Sequence, residues 1–105
     1  MTDFREECLQ TVKSIAEQLE GMNSEELYEF FDDFLDVKYL INGYGEYWGA
    51  YIYIGLGGPN VWVDTVDKSV KLAWGSERAE WGLSNKTVSQ IDEIFEEQCK
   101  CICCR

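Results

Sequence analysis

Apolar residues recur at steps of three and four along the start of the chain, and this period predicts an amphipathic helix. The apolar positions of this first helix are Phe4, Cys8, Val12, Ile15 and Leu19. Asp3 and Glu6 are spaced as a capping pair at its start, and Gly21 is a natural stop for it. We therefore expect one helix between Asp3 and Gly21, with a single face in the core.

A second helix is predicted after a short break. Asn23 or Ser24 is suited to its cap, and Glu26 lies three residues after Asn23, as a capping box requires. Its apolar side is formed by Leu27, Phe30, Phe31, Phe34 and Leu35. The other side is acidic and is formed by Glu25, Glu26, Glu29, Asp32, Asp33 and Asp36. This helix is therefore two-faced, apolar toward the core and acidic toward solvent.

Aromatic, β-branched and glycine residues dominate from position 37 to position 83, and this composition favours strands. We predict strands over 37–41, 47–56, 61–65 and 70–74, with a last edge strand near 80–83. Alternation along 47–56 places Trp48 in the core, whereas the placement of Trp62, Trp74 and Trp81 stays open. The connections are too short for parallel crossovers, so the sheet is predicted to be antiparallel, with helices over one face.

The last segment, 84–105, is predicted to be a helix with apolar positions at Val88, Ile91, Phe95 and Ile102. The 105 residues fit a single domain of the α+β class, with two N-terminal helices, an antiparallel sheet of four to five strands and a C-terminal helix. Within it, 1–36 is an acidic helical hairpin, 37–83 the sheet, and 84–105 the helix with a cysteine-rich end. No apolar run is long enough to span a membrane, and we expect no secretory leader.

The charge of the chain is strongly negative and unevenly placed. Twenty acidic residues face nine basic ones, which gives a net charge of −11 at pH 7. Residues 1–36 carry a net −9 of this, because their eleven acids are balanced only by Arg5 and Lys13. Such a field repels nucleic acid and anionic membranes and attracts basic surfaces. We therefore expect a basic protein as the partner.

The acids of the second helix recur about once per turn, so their carboxylates follow one another at roughly 5.4 Å along the axis. DNA presents phosphates about 3.4 Å apart along each strand. A helix with this ladder can occupy a groove built for a phosphate backbone and compete for the same Lys and Arg contacts. The predicted partner-binding residues are Glu25, Glu26, Glu29, Asp32, Asp33 and Asp36. A merely solvated surface is the alternative, although a face selected for stability alone would interleave lysines.

Five cysteines and no histidine leave sulfur as the main candidate metal ligand. We predict that a structural Zn²⁺ is held by four of the five, which are Cys8, Cys99, Cys101, Cys103 and Cys104. Cys8 can take part only if the first and last helices pack side by side. The spacing differs from the usual C-x-x-C pairs, and a disulfide or uncombined thiols are the alternatives.

The absence of histidine also removes the Ser–His and Cys–His pairs of nucleophilic catalysis. The carboxylates lie on solvated faces by pattern, where none is poised as a general acid or base. Aromatic residues on a sheet can stack bases, but the basic rim that this mode needs is absent from the sequence. We therefore expect a protein that is not an enzyme and does not bind nucleic acid directly.

One stretch of the chain resembles a known group of proteins. The segment Gly57-Gly58-Pro59-Asn60-Val61-Trp62-Val63-Asp64-Thr65, with Trp74-Gly75 and Glu80-Trp81-Gly82, is similar to small phage-type proteins. Together with its acidity and small size, the chain resembles the anti-defence proteins of phages and mobile elements, and among them the type II anti-CRISPR proteins that bind Cas9. The similarity covers roughly residues 50–97, and no catalytic residues carry over.

The resemblance implies a phage or mobile-element origin and action in the cytoplasm of a bacterial host cell. The lead hypothesis is a monomeric DNA mimic, an anti-CRISPR inhibitor whose acidic surface docks on Cas9 and blocks DNA loading or cleavage at a one-to-one ratio. The alternatives are a small zinc-binding structural or accessory protein and an acidic adaptor for a basic partner. None of these hypotheses involves a membrane.

Overall fold

A computed structural model of the chain describes residues 4–34, 36–56 and 59–103. In chain order the elements are α1 (Phe4–Glu20), α2 (Ser24–Asp32), β1 (Val37–Ile41), β2 (Tyr47–Gly55), β3 (Asn60–Asp64), β4 (Ser69–Trp74), β5 (Glu77–Gly82) and α3 (Asn85–Cys103). Each strand pairs antiparallel with the next, so the sheet order is β1-β2-β3-β4-β5. The predicted α+β class and order of elements are confirmed. Among the described residues, no helix has the length and apolarity needed to cross a membrane.

Local chemistry sets the end of α1 and the start of α2 where the sequence predicted them. The prediction that Asp33 and Asp36 lie on the second helix is wrong, because α2 ends at Asp32 and Asp33 is its C-cap. The Asn23 side-chain oxygen accepts the Glu26 N–H at 2.8 Å, and the Glu26 carboxylate accepts the Asn23 N–H at 3.1 Å. This capping box fixes the first turn of α2. α1 ends at Glu20, one residue before the predicted stop at Gly21. Asp3, the predicted cap of α1, lies outside the described residues.

The core lies between the sheet and the helices that cover one of its faces. The strand register aligns Ile52, Val63 and Val70 across the middle of the sheet, and all three are fully buried. α1 lies across β4 and β5, whereas α3 lies over β2 and contacts α2. The buried helix residues are Cys8, Val12, Ala16, Leu19, Leu27, Phe31, Val88, Ile91, Phe95 and Cys99. The predicted apolar stripes therefore face the core, except that Phe4 is 39% exposed. Leu35 and the side chain of Ile102 lie outside the described residues.

β2 departs from the predicted alternation at Trp48. Leu40 pairs with Gly49 and Ile41 pairs with Tyr47, so Trp48 is the extra residue of a β-bulge. The bulge reverses the side on which the preceding residue lies, so Tyr47 packs against the core and Trp48 is 64% exposed. The prediction of a core position for Trp48 is wrong, because strict alternation holds only where every residue of a strand is paired.

Two tyrosine hydroxyls connect α3 to the first two strands. The Tyr47 hydroxyl donates to Asp92 Oδ1 at 2.6 Å, and the Tyr39 hydroxyl donates to Gln98 Oε1 at 3.2 Å. Burial, and then the Asp92 carboxylate, raises the pKa of the Tyr47 hydroxyl, which keeps it protonated as the donor. These contacts fix the position of α3 across the sheet and therefore the position of α2, which packs on α3.

Candidate functional site

The acidic side predicted for the second helix lies on the surface. α2 buries Leu27 and Phe31, and this orientation turns its other side toward solvent. The residues of this surface, called the acidic face below, are Glu25, Glu26, Glu29, Asp32, Asp33 and Asp36, and all six are exposed. The acidic face therefore runs from the first turn of α2 to the residue that precedes β1.

Basic side chains do not neutralise the acidic face in the part of the chain that the structure describes. The ion pairs found there join Arg5 to Glu77, Lys71 to Asp64 and Asp67, and Lys100 to Glu96. Glu26 has an internal role, because its carboxylate closes the capping box. Carboxylates one turn apart repel each other by a few tenths of a kcal/mol per pair. Glu29 and Asp32 therefore destabilise α2 slightly, whereas Glu25 and Glu26 lie in its first turn, where the helix dipole favours acids.

A cleft of about 670 Å³ lies beside the acidic face, between α2 and α3. Its lining residues are Tyr28, Phe31, Asp32, Phe34, Glu93, Ile94, Glu97, Gln98 and Cys101. This set combines apolar walls with three carboxylates and includes no lysine or arginine. This α2–α3 cleft was not predicted from the sequence. The sequence feature that could have indicated this cleft is an apolar residue among acids on the polar side of α3. Glu93 and Glu97 lie one helical turn apart there, with Ile94 next to Glu93.

Cys8 lies in a position that suits a structural thiol better than a metal ligand. It is buried on α1 and lies beside Leu72 and Trp74 of β4. Burial, followed by the nearby carboxylates of Glu77 and Glu7, raises the pKa of the Cys8 thiol. Because metals bind the thiolate, metal binding at this buried position would require the thiol to lose its proton.

The other described cysteines also lie apart. Cys99 is buried on α3, whereas Cys101 is exposed in the α2–α3 cleft. α1 and α3 cover different strands, so the side-by-side packing that a Cys8 ligand requires is not the arrangement found. Within the described ranges, no group of three His, Cys, Asp or Glu side chains is placed to hold a metal. The side chain of Cys103 and all of Cys104 lie outside these ranges, so a zinc site at the chain end stays a prediction for elemental analysis of reduced protein.

The tryptophans whose placement was left open divide between the two faces of the sheet. Trp62 is half-buried on the face opposite the helices. Trp74 and Trp81 lie on the helical side under α1, where Trp74 packs edge-on against Phe4 at 5.0 Å and Lys13 Nζ stands 5.4 Å from the ring centre of Trp81. Two of these tryptophans therefore attach α1 to the sheet, and Trp62 alone of the three belongs to the open face.

No protein-family model matches the sequence, and comparisons with curated proteins and with solved structures gave no significant match. The resemblance to type II anti-CRISPR proteins has no support from these comparisons and stays a hypothesis. Among the described residues, the acidic face and the α2–α3 cleft are the surfaces whose chemistry best suits a macromolecular partner.

Proposed function

We propose that this protein is a non-enzymatic inhibitor that binds a basic, nucleic-acid-handling protein through the acidic face. The observation that supports this most is the exposure of all six acids without an ion pair to a basic side chain in the described part of the chain. Such a surface is attracted to the Lys and Arg clusters that hold nucleic-acid phosphates. Inhibition then follows from occupation of that site, at one inhibitor per target.

The dimensions of α2 fit this proposal. The helix has nine residues, so it is about 13 Å long. That length corresponds to about four successive phosphates on one strand of DNA. Its carboxylates recur once per turn over the same distance. A basic groove that holds a short stretch of phosphate backbone can therefore hold α2 in its place.

Cas9 is the target that we propose to test first. The reason is the resemblance of the central segment to proteins of the anti-CRISPR type, together with the positively charged channel in which Cas9 holds its nucleic acids. An acidic helix in this channel competes with DNA for loading or blocks cleavage. We propose that the protein acts there as a monomer, in the cytoplasm of a bacterial cell.

The test is a double charge reversal, Glu29→Lys with Asp33→Lys. Neither carboxylate belongs to the capping box, and lysine near the end of α2 is favourable for the helix dipole, so the variant should fold. If each reversed contact is worth about 1.4 kcal/mol, inhibition of DNA binding by guide-loaded Cas9 should need about 100-fold more protein. Inhibition by the unaltered chain should also weaken as salt rises, because the attraction between exposed charges is screened beyond about 8 Å at physiological ionic strength and beyond shorter distances at higher salt.

The matched control is Glu6→Lys with Glu17→Lys. These substitutions change the net charge equally but lie on exposed positions of α1, which covers β4 and β5. Most of the inhibition should remain. An equal loss in both variants would assign the effect to net charge instead of the acidic face, and a folded α2 variant that inhibits as well as the unaltered chain would refute the proposal.

A further inference from the structure

We infer that the α2–α3 cleft is the binding site for a basic amphipathic helix of the partner. This inference rests on the proposed function and names the structural element of the partner that is recognised. Three observations carry it: the accessible apolar walls of the cleft, the carboxylates on both of its sides, and its position between two helices.

The walls of the cleft expose apolar side chains next to a rigid floor. Tyr28 is 54% exposed, and Phe34 and Ile94 are half-buried. The floor is Phe31, which is buried and packs edge-on against Phe95 with ring centres 5.5 Å apart. Covering such walls removes apolar surface from water, which favours binding. The site therefore favours a ligand that presents apolar side chains.

The charges around the cleft specify the rest of the ligand. Asp32 contributes a carboxylate from α2, and Glu93 and Glu97 contribute two from α3. Lys100, the nearby basic residue of α3, is held by Glu96 at 3.5 Å. An apolar strip between carboxylates selects a ligand with an apolar stripe and flanking Lys or Arg, and it repels acidic segments.

A helix is the form of ligand that the geometry suits. A groove between two helices accepts a third helix through anchors at i, i+3 or i+4, and i+7. The length of α2, about 13 Å, matches about two turns of a bound helix. A second copy of this chain is disfavoured as the occupant, because each copy carries a net charge of −11 and brings further carboxylates to the cleft.

The test uses a synthetic helical peptide of about 14 residues, with leucines on one face and lysines elsewhere, and a scrambled peptide of the same composition. The reporter is alkylation of Cys101, which lines the cleft and is exposed in the free protein. Cys103→Ser with Cys104→Ser leaves two thiols near the end of α3, of which Cys99 is buried and Cys101 is exposed as the reporter. The amphipathic peptide should slow alkylation of Cys101 several-fold, and the scrambled peptide should not.

Two variants with equal charge locate the binding site. Glu93→Gln with Glu97→Gln should weaken binding of the amphipathic peptide about tenfold, as expected for two partly exposed ion pairs. Glu6→Gln with Glu17→Gln, on α1, should leave the affinity unchanged. Absence of protection at Cys101, or equal affinity of both variants, would overturn the inference. Protection that grows with protein concentration without peptide would also overturn it, since a second copy would then cover the cleft.

The outcome can be separated from that of the proposed function. If the Glu29→Lys and Asp33→Lys variant loses inhibition of Cas9 but the peptide fails to protect Cys101, the cleft inference is wrong and the proposed function stands. If the peptide binds in the cleft but the protein does not inhibit Cas9, the cleft inference stands and the target is a different basic protein.

Discussion

Substitution of Glu20 by Gln should destabilise the protein through a contact between the end of α1 and the start of α3. The Glu20 carboxylate accepts the Ser84 N–H at 2.7 Å and the Ser84 hydroxyl at 2.9 Å. The Ser84 hydroxyl oxygen in turn accepts the Thr87 N–H at 3.2 Å, so Ser84 caps α3. Glu20 therefore holds the cap of α3 in place. An acid in the last turn of a helix opposes the helix dipole, and this tertiary contact explains its presence there.

The size of the effect follows from these two hydrogen bonds. Hydrogen bonds to a charged group contribute about 1.5–3 kcal/mol when buried, and solvent exposure of Glu20 reduces this. Glutamine keeps one acceptor oxygen but loses the charge that favours the start of α3. We expect a loss of about 1 kcal/mol, or about 4 °C in melting temperature for a domain of this size. Thermal unfolding followed by circular dichroism measures it, with Glu17→Gln, which removes the same charge from α1, as the control.

The pH dependence provides an independent check. Partial burial raises the pKa of the Glu20 carboxyl, but the hydrogen bonds from the Ser84 N–H and hydroxyl lower it more, and the net pKa lies below the ordinary value. A carboxyl whose pKa is lower in the folded state stabilises the fold above about pH 4.3 and loses this contribution as pH falls through its folded pKa. The difference in melting temperature between the two chains should therefore shrink in acid. The reasoning would be refuted if Glu20→Gln and Glu17→Gln lowered the melting temperature equally at pH 7. It would also be refuted if the effect of Glu20→Gln on the melting temperature were unchanged below about pH 3.

Two further predictions concern the core and the thiols. Gly49→Ala should lower the free energy of unfolding by about 1–3 kcal/mol, because its new methyl would lie 2.5 Å from Val66 Cγ2. Gly43→Ala is the control, because open space surrounds Gly43, and it should have little effect on the denaturation midpoint. Similar midpoints for the two variants would contradict this. Cys101 should be alkylated before Cys8, because Cys8 is buried and its thiol pKa is raised. Peptide mapping by mass spectrometry measures the two alkylation rates, and equal rates would contradict the buried position of Cys8.

Features that depend on neighbouring residues in the chain were predictable from the sequence. The capping box of Asn23 and Glu26 was predicted from spacing alone, and β1 has the predicted bounds, Val37–Ile41. The last strand was placed too late, since β5 begins at Glu77. The reason is a two-residue turn in which Gly75 takes a φ of 62°, a conformation that favours glycine, so that the strand resumes at Glu77.

Features that depend on distant residues were not predictable in this way. Whether Trp48 is paired depends on how Leu40 and Ile41 align with β2, and a single extra residue there reverses the pattern. The α2–α3 cleft depends on which side of α3 receives α2, and that choice is made by the contact between Phe31 and Phe95. The acidity of α2 was visible in the sequence, but the apolar groove beside it needed the tertiary structure.

The placement of charge on the two sides of the molecule determines how a partner approaches. The open face of the sheet carries three of the nine basic residues, Lys38, Lys71 and Arg78. It also carries the paired rings of Tyr53 and Trp62, whose centres are 6.0 Å apart. α2 and the α2–α3 cleft lie on the other side, with the helices, whereas Asp36 of the acidic face lies beside Lys38 and Tyr53. The open face of the sheet also carries Asp64 and Glu80, and Lys71 is paired with Asp64 and Asp67, so its charges largely balance, whereas those of the acidic face do not. We therefore expect a basic partner to be attracted most to the helical side of the molecule, where α2 lies.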